Sequence, residues 1–252
     1  MHESQRELVA ASLSATDIRL MDHIPYLLQD LWELGSDPQE IAGMLAGPAQ
    51  LGASSRVLDL GCGKGAVSVE VARRIGCIVE GRDLMAPFID VARRKAQEFE
   101  VGHLCRFEVA DIFESVETER DFDAVIFGAV GDLFETQYEL LEQLKRTVKP
   151  RGYLVIDDAF ALTGDEYLSL KDWYRILDEA RCEIVEEVPV DPAIVAATNR
   201  YAQRSIEHRA AELTERYPES ADLFADYVAD QLAECAELES WLQGITWLLR
   251  VK

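Results

Sequence analysis

Arg56-Val57-Leu58-Asp59-Leu60-Gly61-Cys62-Gly63-Lys64-Gly65 is the stretch from which the rest of the chain can be read. A short apolar run ends in an acid, and glycines follow at every second position. Val67, Val71 and Ala72 then fall at helical spacing. The pattern predicts a buried parallel strand, a tight turn whose missing side chains let a ligand approach the backbone, and a helix packed on the sheet. A phosphate-cradling loop needs Gly, four residues, then Gly-Lys-Ser/Thr, and no such string occurs. The dinucleotide fingerprint G-x-G-x-x-G is missed because the third glycine comes one residue early.

Beyond the turn, apolar runs alternate with amphipathic stretches. Strands are expected at 56–60, 77–82, 105–110, 122–128, 152–157 and 182–190, with a seventh near 243–251. Helices are expected at about 64–75, 86–100, 136–148 and 165–180. Thr136…Glu139 and Thr163…Glu166 have capping-box spacing, and Pro87 and Pro192 suit first-turn positions. This alternation predicts an α/β, doubly wound sheet with helices on both faces.

Two segments stand outside that core. Residues 1–52 form an N-terminal segment, helical over roughly 5–52, that packs on or caps the core domain of 53–252. Leu20, Ile24, Leu27, Leu28, Leu31 and Trp32 cluster there at helical spacing. Residues 191–241 read as two amphipathic helices broken near Tyr217-Pro218. Val195, Ala202, Ile206 and Leu213 form one stripe, and Phe224, Val228, Leu232, Cys235 and Leu242 the other. This insertion is expected to act as a lid over a substrate pocket.

Composition narrows the function mainly by exclusion. The net charge of −22 repels nucleic acid and anionic membrane surfaces. No run of eighteen apolar residues exists, and the first residues are too charged for a signal peptide. Five cysteines form no C-x-x-C pair, and four histidines offer no ligand spacing, so neither disulfides nor a metal site is expected. The expectation is a cytoplasmic protein, monomer or homodimer, with a small-molecule substrate.

The acid followed by G-x-G-x-G, taken with successive motifs downstream, resembles the class I S-adenosylmethionine-dependent methyltransferases over about 50–190 and the last strand. The resemblance implies a seven-stranded Rossmann-like sheet of order 3-2-1-4-5-7-6 with an antiparallel last strand, and S-adenosyl-L-methionine as cofactor. Gly61, Cys62 and Gly63 match the family's glycine turn. Asp83, eighteen residues past Gly65, matches the acid that binds both ribose hydroxyls, with Leu84 beside the adenine. Glu80 is the competing acid, turned to the other face of its strand. Asp111 and Ile112 match the adenine-binding pair, and Gly128 ends the strand beside the methionine part. Asp59 orients the turn or meets the cofactor's amino group.

Methyl transfer from a sulfonium is an in-line displacement that chiefly needs alignment and exclusion of water. No catalytic signature is therefore obligatory. Asp157 is a candidate at the fifth strand's end, where Asp157-Asp158 invites comparison with metal-dependent O-methylating relatives. Gly128 stands where the first metal-binding acid would be, which argues against that class. Tyr201 and His208 on the 191–241 insertion are candidates for polar groups facing substrate, against the plainer reading of an interfacial aromatic and a solvated histidine. Tyr26, Trp32 and Asp132 are candidates of the same kind. A non-catalytic, regulatory cofactor-binding protein and a nicotinamide-dependent oxidoreductase remain as alternatives.

Overall fold

The computed structural model describes residues 10–131, 133–164 and 167–252. Its strands are β1 (Arg56–Leu60), β2 (Ile78–Asp83), β3 (Cys105–Val109), β4 (Phe122–Gly128), β5 (Val148–Ala161), β6 (Cys182–Pro189) and β7 (Leu242–Val251). They form one sheet in the order β3-β2-β1-β4-β5-β7-β6. β1 pairs in parallel with β2 on one side and β4 on the other, so the strand order reverses beside it. β7 runs antiparallel between β5 and β6. The architecture is the doubly wound sheet expected from the alternation, with the strand order that the resemblance implies.

Helices follow as α1 (Ile24–Leu27), α2 (Pro38–Ala46), α3 (Ala66–Ile75), α4 (Ala86–Glu98), α5 (Ile112–Thr118), α6 (Gln137–Lys145), α7 (Leu170–Glu179), α8 (Pro192–Arg216) and α9 (Ala221–Ser240), with a 3₁₀ turn at Ile18–Asp22 before α1. Two sheet faces carry two cores. One gathers β-strand residues with Leu140, Leu141 and Leu144 of α6 and Trp173 of α7, whose ring lies 4.8 Å from that of Trp247. The other packs Ile41 and Leu45 of α2, Val69 and Val71 of α3 and Ile89 of α4 on the opposite face. Each fully buried aliphatic side chain contributes roughly 1.5–3 kcal/mol of transfer free energy. No helix of the described residues is long and apolar enough to cross a membrane.

Several boundaries differ from the sequence expectation for local reasons. β5 begins at Val148, not 152, because Val148 already pairs with Phe122 across a register shift. Inside that irregularity Arg151 has φ +63° and a Cβ on Gly152 would lie 2.8 Å from Val148 Cβ, which is why the piece reads as a turn. α5 was not expected. It is seven residues long, too short for a helical period to show, and Asp111 caps it by accepting from Phe113 N at 2.8 Å. α7 starts at Leu170, where Ser169 and Asp172 form a full capping box, instead of near Thr163. Glu166 and Asp132 lie outside the described residues.

A third cluster joins the N-terminal segment to the α8–α9 hairpin. Leu20, Ile24 and Leu27 pack against Ile206, Ala210 and Leu213 of α8 and Phe224 and Tyr227 of α9, with Phe88 of α4 beneath. The buried side of α9 is Leu223, Phe224 and Tyr227, while Leu232, expected on its stripe, is 56% exposed.

Phe107 holds the centre of this arrangement open for the glycine turn. It sits opposite Gly81 in the β2–β3 register. A Cβ on Gly81 would fall 2.6 Å from its Cδ1 and 2.9 Å from Cys62 Sγ. Gly81→Ala should therefore cost about 1–3 kcal/mol of stability by overpacking. Gly52→Ala, whose Cβ meets nothing within 4 Å, should stay within about 0.5 kcal/mol. Urea unfolding of both variants checks the difference.

Candidate functional site

Open sheets bind ligands beyond the carboxyl ends of their strands where the order reverses. Here that point is the end of β1. Gly61, Gly63 and Gly65 adopt φ of +72°, +52° and +77°, values that carry a Cβ only with strain. A Cβ on Gly61 would lie 2.7 Å from Val130 Cγ2, and one on Gly63 3.1 Å from Leu34 Cδ1. The Gly61 and Cys62 amides donate to Arg82 O at 2.8 and 3.0 Å, which fastens the turn to β2.

Three acids converge on the turn. Asp83, ending β2, accepts from Gly63 N at 2.9 Å and from Met85 N at 2.8 Å. Asp59, 3% exposed, accepts from Ser68 Oγ at 2.5 Å. Asp111 caps α5. All nine residues expected to hold the cofactor, Asp59, Gly61, Cys62, Gly63, Asp83, Leu84, Asp111, Ile112 and Gly128, line a single cleft of about 1000 Å³ including its open mouth. Glu80 is absent from its lining and instead pairs with Arg56 at 2.8 Å and Arg82 at 3.3 Å.

The opposite wall differs from the expectation. Ser12, Leu13, Trp32, Leu34 and Ser36 of the N-terminal segment close the cleft, and no lining residue comes from 191–241. The α8–α9 hairpin spends its apolar face on the back of that segment and so buttresses it. Tyr201 is 60% exposed, its hydroxyl 3.4 Å from Asp30 O, and His208 lies 3.6 Å from Glu212 on the solvent side. Both stand away from the cleft, as does Tyr26, which donates to Glu212 at 2.8 Å. Trp32 is in the wall, and its indole donates to Lys64 O at 3.0 Å.

Asp157 sits behind the cleft, accepting from Thr246 Oγ1 at 3.3 Å. Burial raises its pKa, and the nearby Ser36 and Thr246 hydroxyls oppose that rise. Ser36 Oγ is buried without a hydrogen bond of good geometry and lies 2.5 Å from where a Cβ on Gly128 would be. Any side chain at 128, a metal-binding acid included, would collide with it. Lys64 went unremarked as a functional residue in the sequence, yet it is only 3% exposed in the centre of the turn.

Burial dominates the electrostatics. Desolvation pushes Asp83 and Asp59 up to about 6 from 3.8, against the hydrogen bonds that favour their charged forms. The Cys62 thiol is pushed well up by burial, so it is not a nucleophile at neutral pH. Because the folded-state values lie above the unfolded one, the folded chain binds protons that the unfolded chain releases, and stability is lost as pH rises through about 6. Acidification from about pH 7.5 to about 5.5 should recover on the order of 1 kcal/mol per group. Asp59→Asn should remove roughly its share of that gain, as read from urea midpoints across the pH range.

Comparison with known proteins follows the same lines. A family model described as a methyltransferase domain matches residues 51–219. The chain is 26% identical over 193 residues to the 27-O-demethylrifamycin SV methyltransferase of Amycolatopsis mediterranei, covering 77% of this chain and 65% of that one. It is 35% identical over 146 residues to the ubiquinone biosynthesis O-methyltransferase of Alkalilimnicola ehrlichii, covering 48% of this chain and 54% of that one. The chain thus spans about half to two thirds of the length of these relatives. A methyltransferase from Geobacter sulfurreducens, crystallised with S-adenosyl-L-homocysteine, shares the fold with a TM-score of 0.75 at 18% identity, over 91% of this chain and 97% of that one. With the family model covering well over half of its 252 residues, the chain belongs to the methyltransferase domain family.

Proposed function

We propose that this protein is a cytoplasmic S-adenosylmethionine-dependent methyltransferase acting on a small, neutral and largely apolar acceptor. The observation that carries the cofactor is a buried carboxylate, Asp59, beside a half-buried one, Asp83. Asp59 and Asp83 are desolvated beside a glycine turn, and among the described residues they accept from a hydroxyl and two backbone amides and from no cation. Such carboxylates suit a ligand that brings ribose hydroxyls and an ammonium. Asp83 would take the ribose hydroxyls, Asp59 would face the amino group, and Leu84, Met85 and Ile112 would sandwich the adenine, with Asp111 at its edge.

The cofactor supplies an electrophilic methyl group, which leaves the chain's residues to position, desolvate and exclude water. Val130 and Leu34 close on Gly61 and Gly63, so the space beyond the turn is walled by apolar groups. Among the described residues, the charged members of the lining are Asp59, Lys64, Asp83 and Asp111. The same lining offers the apolar Leu13, Leu34, Ala129, Val130 and Leu133 with the Ser12 and Ser36 side chains. That apolar share of the lining supports a neutral acceptor, because burying a charged group against it costs free energy that a neutral one does not. Relatives named for a rifamycin and for ubiquinone biosynthesis point the same way.

Calorimetric titration with S-adenosylhomocysteine tests the cofactor, and Asp83→Ala should weaken it by about tenfold or more, the equivalent of one charge-assisted hydrogen bond. Absence of binding at high micromolar concentration refutes the reading. Methyl transfer from labelled S-adenosylmethionine should go to neutral phenols, quinols or terpenoid alcohols in preference to basic peptides. Turnover of the peptides alone would overturn the acceptor class.

A further inference from the structure

A lysine between two turn glycines ordinarily points to solvent. Lys64 instead runs inward and donates from Nζ to the carbonyl oxygens of Leu28 and, at 2.5 Å, Leu31, with the Phe88 ring centroid 5.4 Å away. Leu28 is the C-cap of the short helix α1, and Leu31 closes the turn that follows it, its amide donating to Leu28 O at 3.0 Å. The contact is reciprocated, because Trp32 Nε1 donates to the carbonyl of Lys64 itself. From outside, the same 28–31 turn is gripped by Arg209 of α8, which binds Asp30 through two bonds of 2.6 and 2.8 Å. Two residues further on, Leu34 touches the space over Gly63.

We infer that Lys64 is a positioning residue that pins the N-terminal wall shut over the glycine turn, so that closure of the wall and binding in the cleft are one coupled equilibrium. The inference rests on reading the cleft as the cofactor site. Its physical basis is local. A buried ammonium whose bonds are made by the wall's own carbonyls loses those partners if the wall swings away, and must then find water in a cleft it otherwise helps to dry. Closure is therefore favoured by the charge, and Trp32 and Leu34 are delivered to the cleft as a result. A ligand seated on the turn gains affinity from a wall already closed, since a site competent only part of the time binds more weakly by that fraction.

Lys64→Met keeps the apolar stem and removes the ammonium. In the cofactor-free variant, amide hydrogen exchange across 24–34 should accelerate while β1 and β4 stay protected, and S-adenosylhomocysteine affinity should fall about tenfold if the wall is then closed a tenth of the time. Trp32→Phe keeps an aromatic ring on Phe99 and removes only the return hydrogen bond. It should shift both readouts in the same direction by a smaller factor, and it decides the matter if Lys64→Met does not fold. Unchanged exchange across 24–34 overturns the pin. Faster exchange with unchanged affinity overturns the coupling and leaves Lys64 merely structural. If the ligand fails to bind the unaltered protein, the cofactor reading falls instead, and the ligand-free exchange experiment still decides the pin.

Discussion

Desolvation of two carboxylates at the carboxyl ends of β1 and β2 is the constraint around which this molecule is organised. Asp59 and Asp83 sit at and beside the point where the strand order reverses, and burial, helped at Asp59 by the neighbouring Asp83 charge, lifts both to about 6. Keeping them there takes specific concessions from the sequence. Gly63 turns its amide toward Asp83, Ser68 gives up its hydroxyl to Asp59, and Gly81 leaves room for Phe107 beneath the turn. An arrangement optimised for stability would have exposed or neutralised such groups. Retaining them buried is the usual mark of a site whose polar ligand completes the pairing.

The same constraint explains the second shell of the cleft. A desolvated pocket needs walls, and the sheet edge provides only one. The N-terminal segment provides the other, and between residues 13 and 36 its regular structure is a 3₁₀ turn and the four-residue helix α1. It is held by contacts from both sides, the buried Lys64 within and the α8–α9 hairpin without. Asp30 and Glu212 both pair with Arg209, so the outer grip is a small charge network with a partly buried guanidinium.

What was legible in the sequence is what local pattern can encode. Alternating apolar runs predicted the strands, and the spacing of Asp59, the glycines, Asp83 and Asp111 named a cleft whose lining the structure brings together. What was not legible depends on partners without a sequence signature. Lys64 binds backbone carbonyls, which every residue has. Seven-residue α5 shows no period. Tyr201 and His208 lie on one line of α8, but the face that packs is Gln203, Ile206, Ala210 and Leu213, so the line looked toward solvent. The lid expectation rested on equally little: amphipathicity shows that a helix has a face to bury, and says nothing about whether a pocket or another helix receives it.

The buttress has a consequence for how acceptor preference can change. The N-terminal wall of the cleft, 12–36, and the helix that props it, 192–216, are separated by most of the chain yet share Asp30–Arg209, Tyr26–Glu212 and one apolar cluster. A transplant of the wall alone into a relative would arrive without its prop, and remodelling the prop alone would tilt a wall it never names. On the proposed acceptor reading, specificity is thus a two-segment trait. Exchange of acceptor range between homologous chains should follow recombination that carries both ends together and leaves the middle, with its acids and glycines, untouched.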